Sequence, residues 1–245
     1  MKLSAPLCLN DESNPVIDEE LNVIRKLLNT EGTRILELGC GAAYQTRAII
    51  ENTRVRSIVA AEVDQRQHQK NLQVTDLPSV TFKSYGAESI EEADRSFDAV
   101  IMLKSLHHVP LAQMQAAFRE IHRVLVDDGY LYISEPVFAG DFNAVLSLFH
   151  NEERVRQSAF DAILNAVKNN LFESVTQYFF SNRIKFKSFQ QFEQGVLNTT
   201  HTEHNLSSEL MDEVKQKFLG FESPEGYVFC QPNRVNLLKK VNHSG

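Results

Sequence analysis

The sequence predicts an α/β protein built on a doubly wound, mainly parallel sheet. Short apolar runs alternate with segments of helical periodicity between Arg34 and Pro136. A glycine turn, "GCGAA", joins the first of those runs to a helix. Strands that alternate with helices imply right-handed crossovers and a parallel sheet covered on both faces. In such a fold ligands sit beyond the carboxyl ends of the strands, so the residues that follow each strand are the ones to watch.

Taken in order, "VIDEELNVIRKLLN" sets Leu21, Ile24, Leu27 and Leu28 at helical spacing, with Asp18 placed to cap the start. The strands follow as "RILEL", "SIVAAEV", "VTFKSY", "FDAVIML" and "GYLYIS". Helices are expected between them at about 42–52, 65–73, 89–94 and 110–125. The last carries Leu111, Met114, Phe118, Ile121 and Leu125 as one apolar stripe. Past Phe138 the alternation stops. "FNAVLSLFHNEERVRQSAFDAILNAVKNNLF" reads as mainly helical, and "YFFSNRIKFKSFQQF" has no clear strand periodicity. "SSELMDEVKQKFLG" is a further helix, capped by Ser207 and stopped at Gly220. "GYVFCQP" and "RVNLLKK", joined across Pro232 and Asn233, resemble a closing antiparallel hairpin, which brings the sheet to seven strands. The expected organisation is a core of residues 1–138 and 207–245, with residues 139–206 inserted as a helical cap that binds substrate.

At 245 residues with 42% hydrophobic side chains, the chain can bury a full core. No run approaches the roughly 18 apolar residues of a membrane span, and Met1 to Asn10 lacks the features of a secretory signal, so a cytoplasmic location is expected. A net charge of −7 argues against a nucleic-acid partner, which would require a dense basic face. Cys8, Cys40 and Cys230 are far apart and form no CxxC pair, so neither a disulfide framework nor a metal site is suggested.

The glycine turn asks which ligand it receives. A dinucleotide fingerprint, G-x-G-x-x-G, would need a third glycine where Tyr44 stands, which disfavours a nicotinamide cofactor. Glu37, two residues before Gly39, would meet a cationic group better than a phosphate. S-adenosylmethionine carries no phosphate, has an ammonium and a sulfonium, and offers ribose hydroxyls to a carboxylate.

"ELGCGAA" resembles the first motif of the class I S-adenosylmethionine-dependent methyltransferases, E/D-x-G-x-G-x-G, with Ala43 at the third glycine position. The resemblance continues in order to residue 136, and it implies a Rossmann-like fold. It places Glu37, Gly39, Cys40 and Gly41 at the cofactor turn, and Glu62 with Val63, in "AAEVD", at the ribose. "YGAESI" is similar to the family's G-D-A-E adenine segment, with Gly86 in place of the Asp and Ala87 and Glu88 kept. "SFDAVIMLKSLHHVP" resembles the fourth strand and its exit, which adds Leu103 and Lys104 to the cofactor set; "REIHRVLVDDGYLYISEP" resembles the next helix, turn and strand, with Asp128 where glycine is usual.

Methyl transfer from a sulfonium is an in-line displacement, and a base is needed only if the attacking atom must lose a proton. His107 and His108 follow the fourth strand, and Glu135 ends the fifth as their nearest acidic partner; these are the catalytic candidates. Alternatively "LHHV" starts a helix, and its histidines satisfy backbone groups or pack on the cofactor. "HTEH" places His201 and His204 three apart, either two metal ligands without a third or a solvated loop, and His122 reads as surface. Phe172, Tyr178, Phe179, Phe180, Phe186, Phe189 and Phe192 either line an acceptor pocket or form the cap's own core. Arg183, Lys185 and Lys187 either hold an anionic group or form an exposed strand face. The functional expectation is a methyltransferase for a small-molecule acceptor, with no nucleic-acid or membrane partner. The alternative is a non-catalytic cofactor sensor or partner subunit.

Overall fold

The protein is described by a computed structural model at residues 6–10, 16–197 and 206–242. His201 and His204 lie outside the described residues. The strands are β1 (Val16–Ile17), β2 (Arg34–Leu38), β3 (Ser57–Ala61), β4 (Val80–Lys83), β5 (Phe97–Leu103), β6 (Leu125–Pro136), β7 (Phe172–Phe186), β8 (Glu222–Ser223) and β9 (Gly226–Lys240). The helices are α1 (Glu20–Leu27), α2 (Tyr44–Asn52), α3 (Gln65–Asn71), α4 (Met114–Val124), α5 (Gly140–Leu146), α6 (Glu153–Lys168), α7 (Phe189–Phe192) and α8 (Ser208–Leu219).

They form one open sheet of order β1-β7-β9-β6-β5-β2-β3-β4, with β8 paired to β9. From β4 across to β6 every pairing is parallel, and β9 runs antiparallel between β6 and β7. Seven strands are long, and β1 and β8 are two-residue additions. This is the doubly wound sheet with a closing antiparallel pair that the sequence predicts. The strand order reverses at β2, which has β3 on one side and β5 on the other, and this switch point sets where a ligand binds.

Alternation along the strands divides the core. Leu36, Val100, Met102, Leu131 and Ile133 pack on one face beneath α4 and α6. Ile35, Ala99, Ile101 and Tyr132 pack on the other beneath α1 and α2. α4 buries Met114, Ala117, Phe118, Ile121 and Val124; of the expected stripe, Leu111 lies in a 3-10 turn before the helix and is exposed, and Leu125 passes into β6.

Several local expectations change. Residues 89–94 form no helix; the Arg123 guanidinium holds this loop by donating to the carbonyls of Ile90 (2.8 Å) and Glu92 (2.7 Å). Asp18 does not cap α1, whose N-cap is Glu19 without a side-chain bond; its carboxylate accepts instead from the Asn22 amide at 3.0 Å. Ser207 does cap α8, accepting from the Leu210 N–H at 3.2 Å. Asp128 takes a left-handed φ of +63°, as the usual glycine would, and its carboxylate meets Lys239 at 2.6 Å. His122 is half-buried, its Nε2 3.0 Å from the Val241 carbonyl and its ring edge-on to Phe172.

The largest difference lies within 139–206. The aromatic stretch expected in a helical cap is strand β7, next to the sheet edge with only the two-residue β1 beyond it, and Pro232 and Asn233 lie inside a continuous β9 rather than in a hairpin turn. Strand periodicity is hidden because both faces of β7 are covered for part of its length. Phe172 packs beneath α4 and α6, while Phe180 packs with the α1 face. Beyond the sheet edge Phe186, Phe189 and Phe192 join Phe142, Phe218 and Phe229 in a third core under α5, α7 and α8. The rings are thus largely core. Arg183 and Lys185 pair with Glu225 on the exposed part of the strand.

Phe218 sits fully buried at the centre of this third core, with ring centroids of Phe192 at 5.0 Å, Phe189 and Phe229 at 5.3 Å and Tyr227 at 4.6 Å. Phe218→Ala is expected to cost about 3–5 kcal/mol of unfolding free energy in a urea titration, and Phe218→Leu below about 1.5 kcal/mol.

Candidate active site

The glycine turn leaves β2 through two left-handed glycines, Gly39 (φ +78°) and Gly41 (φ +52°), and Ala43 (φ +59°) at the N-cap of α2 is left-handed as well. Gly39 admits no side chain, since a Cβ there would lie 2.6 Å from the Ser105 Cβ. Ser105 itself donates to the Leu38 carbonyl at 2.7 Å, so the exits of β2 and β5 are strapped together. The N–H groups of Gly39 and Cys40 both donate to the Ala61 carbonyl of β3 (2.9 and 3.0 Å). They are therefore spent on the fold and cannot cradle a phosphate.

Carboxylates border the turn instead. Glu62 accepts from the Gly41 N–H at 2.7 Å and from the Asp64 N–H at 2.9 Å. Glu37 is buried and accepts from the Thr46 hydroxyl at 2.5 Å. Burial is the main cause that pushes its pKa up to about 7, aided by the charge of Glu62 and opposed by the Thr46 bond. Two acids facing one turn repel a phosphate and attract a cation, which answers the question the turn poses. Cys40 is buried beneath, its thiol pKa pushed well up by burial and by Glu37 and Glu62, with the Asn71 amide 3.6 Å from its sulfur. Val63 is exposed beside Glu62, and Tyr44 is exposed at the start of α2. Ala87 is buried, and the Glu88 carboxylate folds over Gly86 so closely that a Cβ there would overlap it. The Glu88 carboxylate thus fills the space where a side chain at position 86 would stand.

The other half of the site is the exit of β5. Leu103 ends the strand half-buried, and Lys104 adopts a left-handed φ of +55° and donates from Nζ to Gln231 at 2.9 Å. Burial lowers the Lys104 pKa, against the opposing pull of Glu20. A single 3-10 turn, Leu106–His108, carries both histidines. Glu135, nearly fully buried at the end of β6, accepts the Leu106 N–H at 2.9 Å and holds Nδ1 of His107 with its other oxygen. His107 and Glu135, separate in the sequence, are thus brought into contact.

Glu152 completes this group, and nothing in its sequence context marked it. Its Oε1 lies 3.7 Å from His107 Nε2 and 3.0 Å from His150 Nε2, and its Oε2 accepts from Arg156 at 2.6 Å, one turn along α6. Burial opposes the charged form of His107, yet Glu135 and Glu152 outweigh it and push the pKa up to about 9. His107 is therefore an imidazolium at neutral pH. His108 is exposed, its ring 4.0 Å from that of His107, and its pKa is lowered by partial desolvation and by the charge on His107. The donor atoms of His107, His108 and Glu152 lie within 4.8 Å of one another, close enough to share a cation, but Glu152 is already matched by His107 and Arg156. Glu20 was also missed: buried at the start of α1, it accepts from the Tyr132 hydroxyl and the Ser134 hydroxyl, each at 2.8 Å.

Comparison with known proteins agrees with this geometry. Residues 35–129 match the methyltransferase domain family. An uncharacterised methyltransferase of Staphylococcus carnosus is 25% identical over 149 residues, which cover 59% of this chain and 68% of the relative. Among solved structures, the YcgJ protein of Bacillus subtilis superposes with a TM-score of 0.61 at 18% identity, covering 91% of this chain and 98% of its own. A protein of Bacillus halodurans C-125 assigned to the methyltransferases gives 0.63 at 16% identity, covering 91% and 99%. No helix among the described residues is long and apolar enough to cross a membrane. The acid-bordered turn at the switch point and the sheet order accompany the match over residues 35–129, and together they make that segment similar to the class I S-adenosylmethionine-dependent methyltransferases.

Proposed function

We propose that this methyltransferase acts on a small-molecule acceptor bound at the rim formed by the exits of β5 and β6, with the cofactor spanning the turn between Glu37 and Glu62. In this reading Glu37 faces the ammonium end and Glu62 takes the ribose hydroxyls. Gly39, Cys40 and Gly41 give the backbone path, while Val63, Ala87, Glu88, Leu103 and Lys104 border the nucleoside. His108 is the proton acceptor where the attacking atom must lose one. His107 and Glu135 are positioning residues, because a ring kept charged by two carboxylates has no free capacity for a proton.

The observation that carries this reading is the exposed, neutral His108, whose ring lies 4.0 Å from that of a buried imidazolium and is tilted 45° to it at the strand exit. Buried charges are costly, and a site that gathers Glu20, Lys104, His107, Glu135, Glu152 and Arg156 at one rim is more easily explained by chemistry than by stability. An acidic chain, with 32 Asp and Glu against 25 Lys and Arg, disfavours a nucleic acid as the acceptor.

Incubating the protein with methyl-labelled S-adenosylmethionine and a metabolite extract is expected to put label into low-molecular-weight product; label confined to RNA, or no transfer at all, refutes the reading. His108→Ala should lower that transfer by about 10²–10⁴-fold while calorimetry finds the S-adenosylhomocysteine affinity unchanged.

Glu37 gives the cofactor site a pH dependence. Its carboxyl is mostly protonated below pH 7 and must ionise to meet an ammonium, so binding takes up the anion and releases a proton. Affinity for S-adenosylhomocysteine is expected to fall roughly fivefold between pH 7 and pH 6, and Glu37→Gln should flatten that dependence. The raised pKa of His107 acts on folding in the opposite range: its contribution is fully present below its ordinary pKa of 6.5 and is lost as pH rises through about 9. Thermal unfolding should show wild-type stability dropping between pH 7 and pH 10, with the drop reduced in Glu135→Gln.

A further inference from the structure

A second feature of the rim takes no part in holding cofactor. Arg234, on β9 in register with Glu135, is only 2% exposed, and its guanidinium lies 4.4 Å from the centre of the Phe160 ring. It donates from Nε to Asn236 at 3.0 Å and from Nη1 to the Leu9 carbonyl at 2.8 Å. It forms no ion pair among the described residues. Burying a charge without a partner is among the most expensive things a fold can do, so an unmatched internal arginine calls for a ligand.

Arg156 approaches the same place from α6. It is 5% exposed; Nη2 meets Glu152 at 2.6 Å, Nη1 meets Asn143 at 3.0 Å and the Val137 carbonyl at 3.2 Å, and its Nε is buried without any hydrogen-bond partner. The two guanidinium groups line one cavity of about 80 Å³, bounded also by Leu9, Pro136 and Phe138, with the exposed Glu153 at its edge. A single water needs about 10–15 Å³ of such space, so this cavity takes a group of a few heavy atoms but not a whole metabolite. Charge points the same way. The buried carboxylates of Glu135 and Glu152 face the cations of His107, Arg156 and Arg234, and Glu20 and Lys104 add one of each sign, which leaves the cluster one negative charge short.

We infer that the cavity behind the rim receives the carboxylate of the methyl acceptor, held between Arg234 and Arg156. The inference rests on the small-molecule reading above and narrows it: the acceptor is a small carboxylic acid whose nucleophilic atom lies on the rim side of the anchored group. A guanidinium offers parallel N–H donors that match a carboxylate, and the Phe160 face keeps the Arg234 plane fixed for that contact. The carboxylate is an anchor and is not itself methylated.

The test uses the full chain and trifluoroacetate as a probe. Fluorine NMR line broadening should show saturable binding to wild type, competed by acetate, and at least tenfold weaker binding to Arg234→Met. Arg234→Lys, which keeps the charge and loses the fork, should fall between the two and serves if the Met variant does not fold. Absence of saturable broadening, or broadening equal in wild type and Arg234→Lys, overturns the anchor. Methyl-labelled product from the metabolite extract is then passed over an anion exchanger at neutral pH. Retained label supports the carboxylic acid, and label only in the flow-through overturns it while the methyltransferase reading stands. Broadening by trifluoroacetate without any labelled product supports the anion site and refutes the small-molecule reading instead.

Discussion

Glu135 is the group on which the far side of the site depends. One of its oxygens accepts the Leu106 N–H and so fixes the 3-10 turn that carries both histidines; the other holds His107. Because Glu135 ends a central strand and is almost wholly buried, its position is set by the sheet and not by a mobile loop. The charge it imposes on His107 then extends outward to Glu152 and Arg156, which ties the start of α6 to the strand exits. A single carboxylate thus converts strand register into the position of an exposed imidazole. Replacing it by an apolar group would remove more than one bond, since each later charge in the chain is matched by the one before it.

The cofactor side follows a different constraint. Ser105 strapped to the Leu38 carbonyl, and the Gly39 and Cys40 amides spent on Ala61, hold the turn in shape before any ligand arrives. Glu62 occupies the Gly41 N–H with an oxygen that a pair of ribose hydroxyls could engage. Glu37, by contrast, is kept near its titration point by burial, so its charge depends on what faces it. The fold therefore supplies one acid fixed by backbone donors and one that responds to a cation.

Much of this was legible in the sequence because it depends on local pattern. The five parallel strands of the first half, the left-handed glycine turn, the apolar face of α4 and the acids at the ends of β2 and β3 all sit where period and spacing put them. At Gly86, where the family segment has an Asp, the Glu88 carboxylate covers the position, a contact that the sequence pattern does not show. What the sequence hid depends on long-range pairing. β7 reads as irregular because its two faces enter different cores along its length, so neither period 2 nor period 3.6 dominates. Glu152 and Arg156 look like an ordinary i, i+4 pair on a helix surface, and only the fold brings His107 against them. Arg234 sits in an unremarkable strand, and its burial becomes visible only when β9 is flanked by β6 and β7.

The pairing of the two histidines also constrains the kind of acceptor the rim can serve. A charged His107 lowers the basicity of His108, so His108 is a weak base with a strong tendency to give its proton back. For most proton transfers that would be a handicap, yet a sulfonium donor is already activated by its positive charge and asks little of the nucleophile. A weak base then suffices for a hydroxyl or similar group whose acidity rises as the bond to carbon forms. Once protonated, His108 would face a second imidazolium at ring contact, a repulsion relieved by release of the proton to solvent on its exposed side. The same repulsion would oppose a cationic acceptor in that position. An acceptor anchored by a negative group behind the rim meets no such opposition, because its charge offsets the excess that Arg156, Arg234 and His107 create.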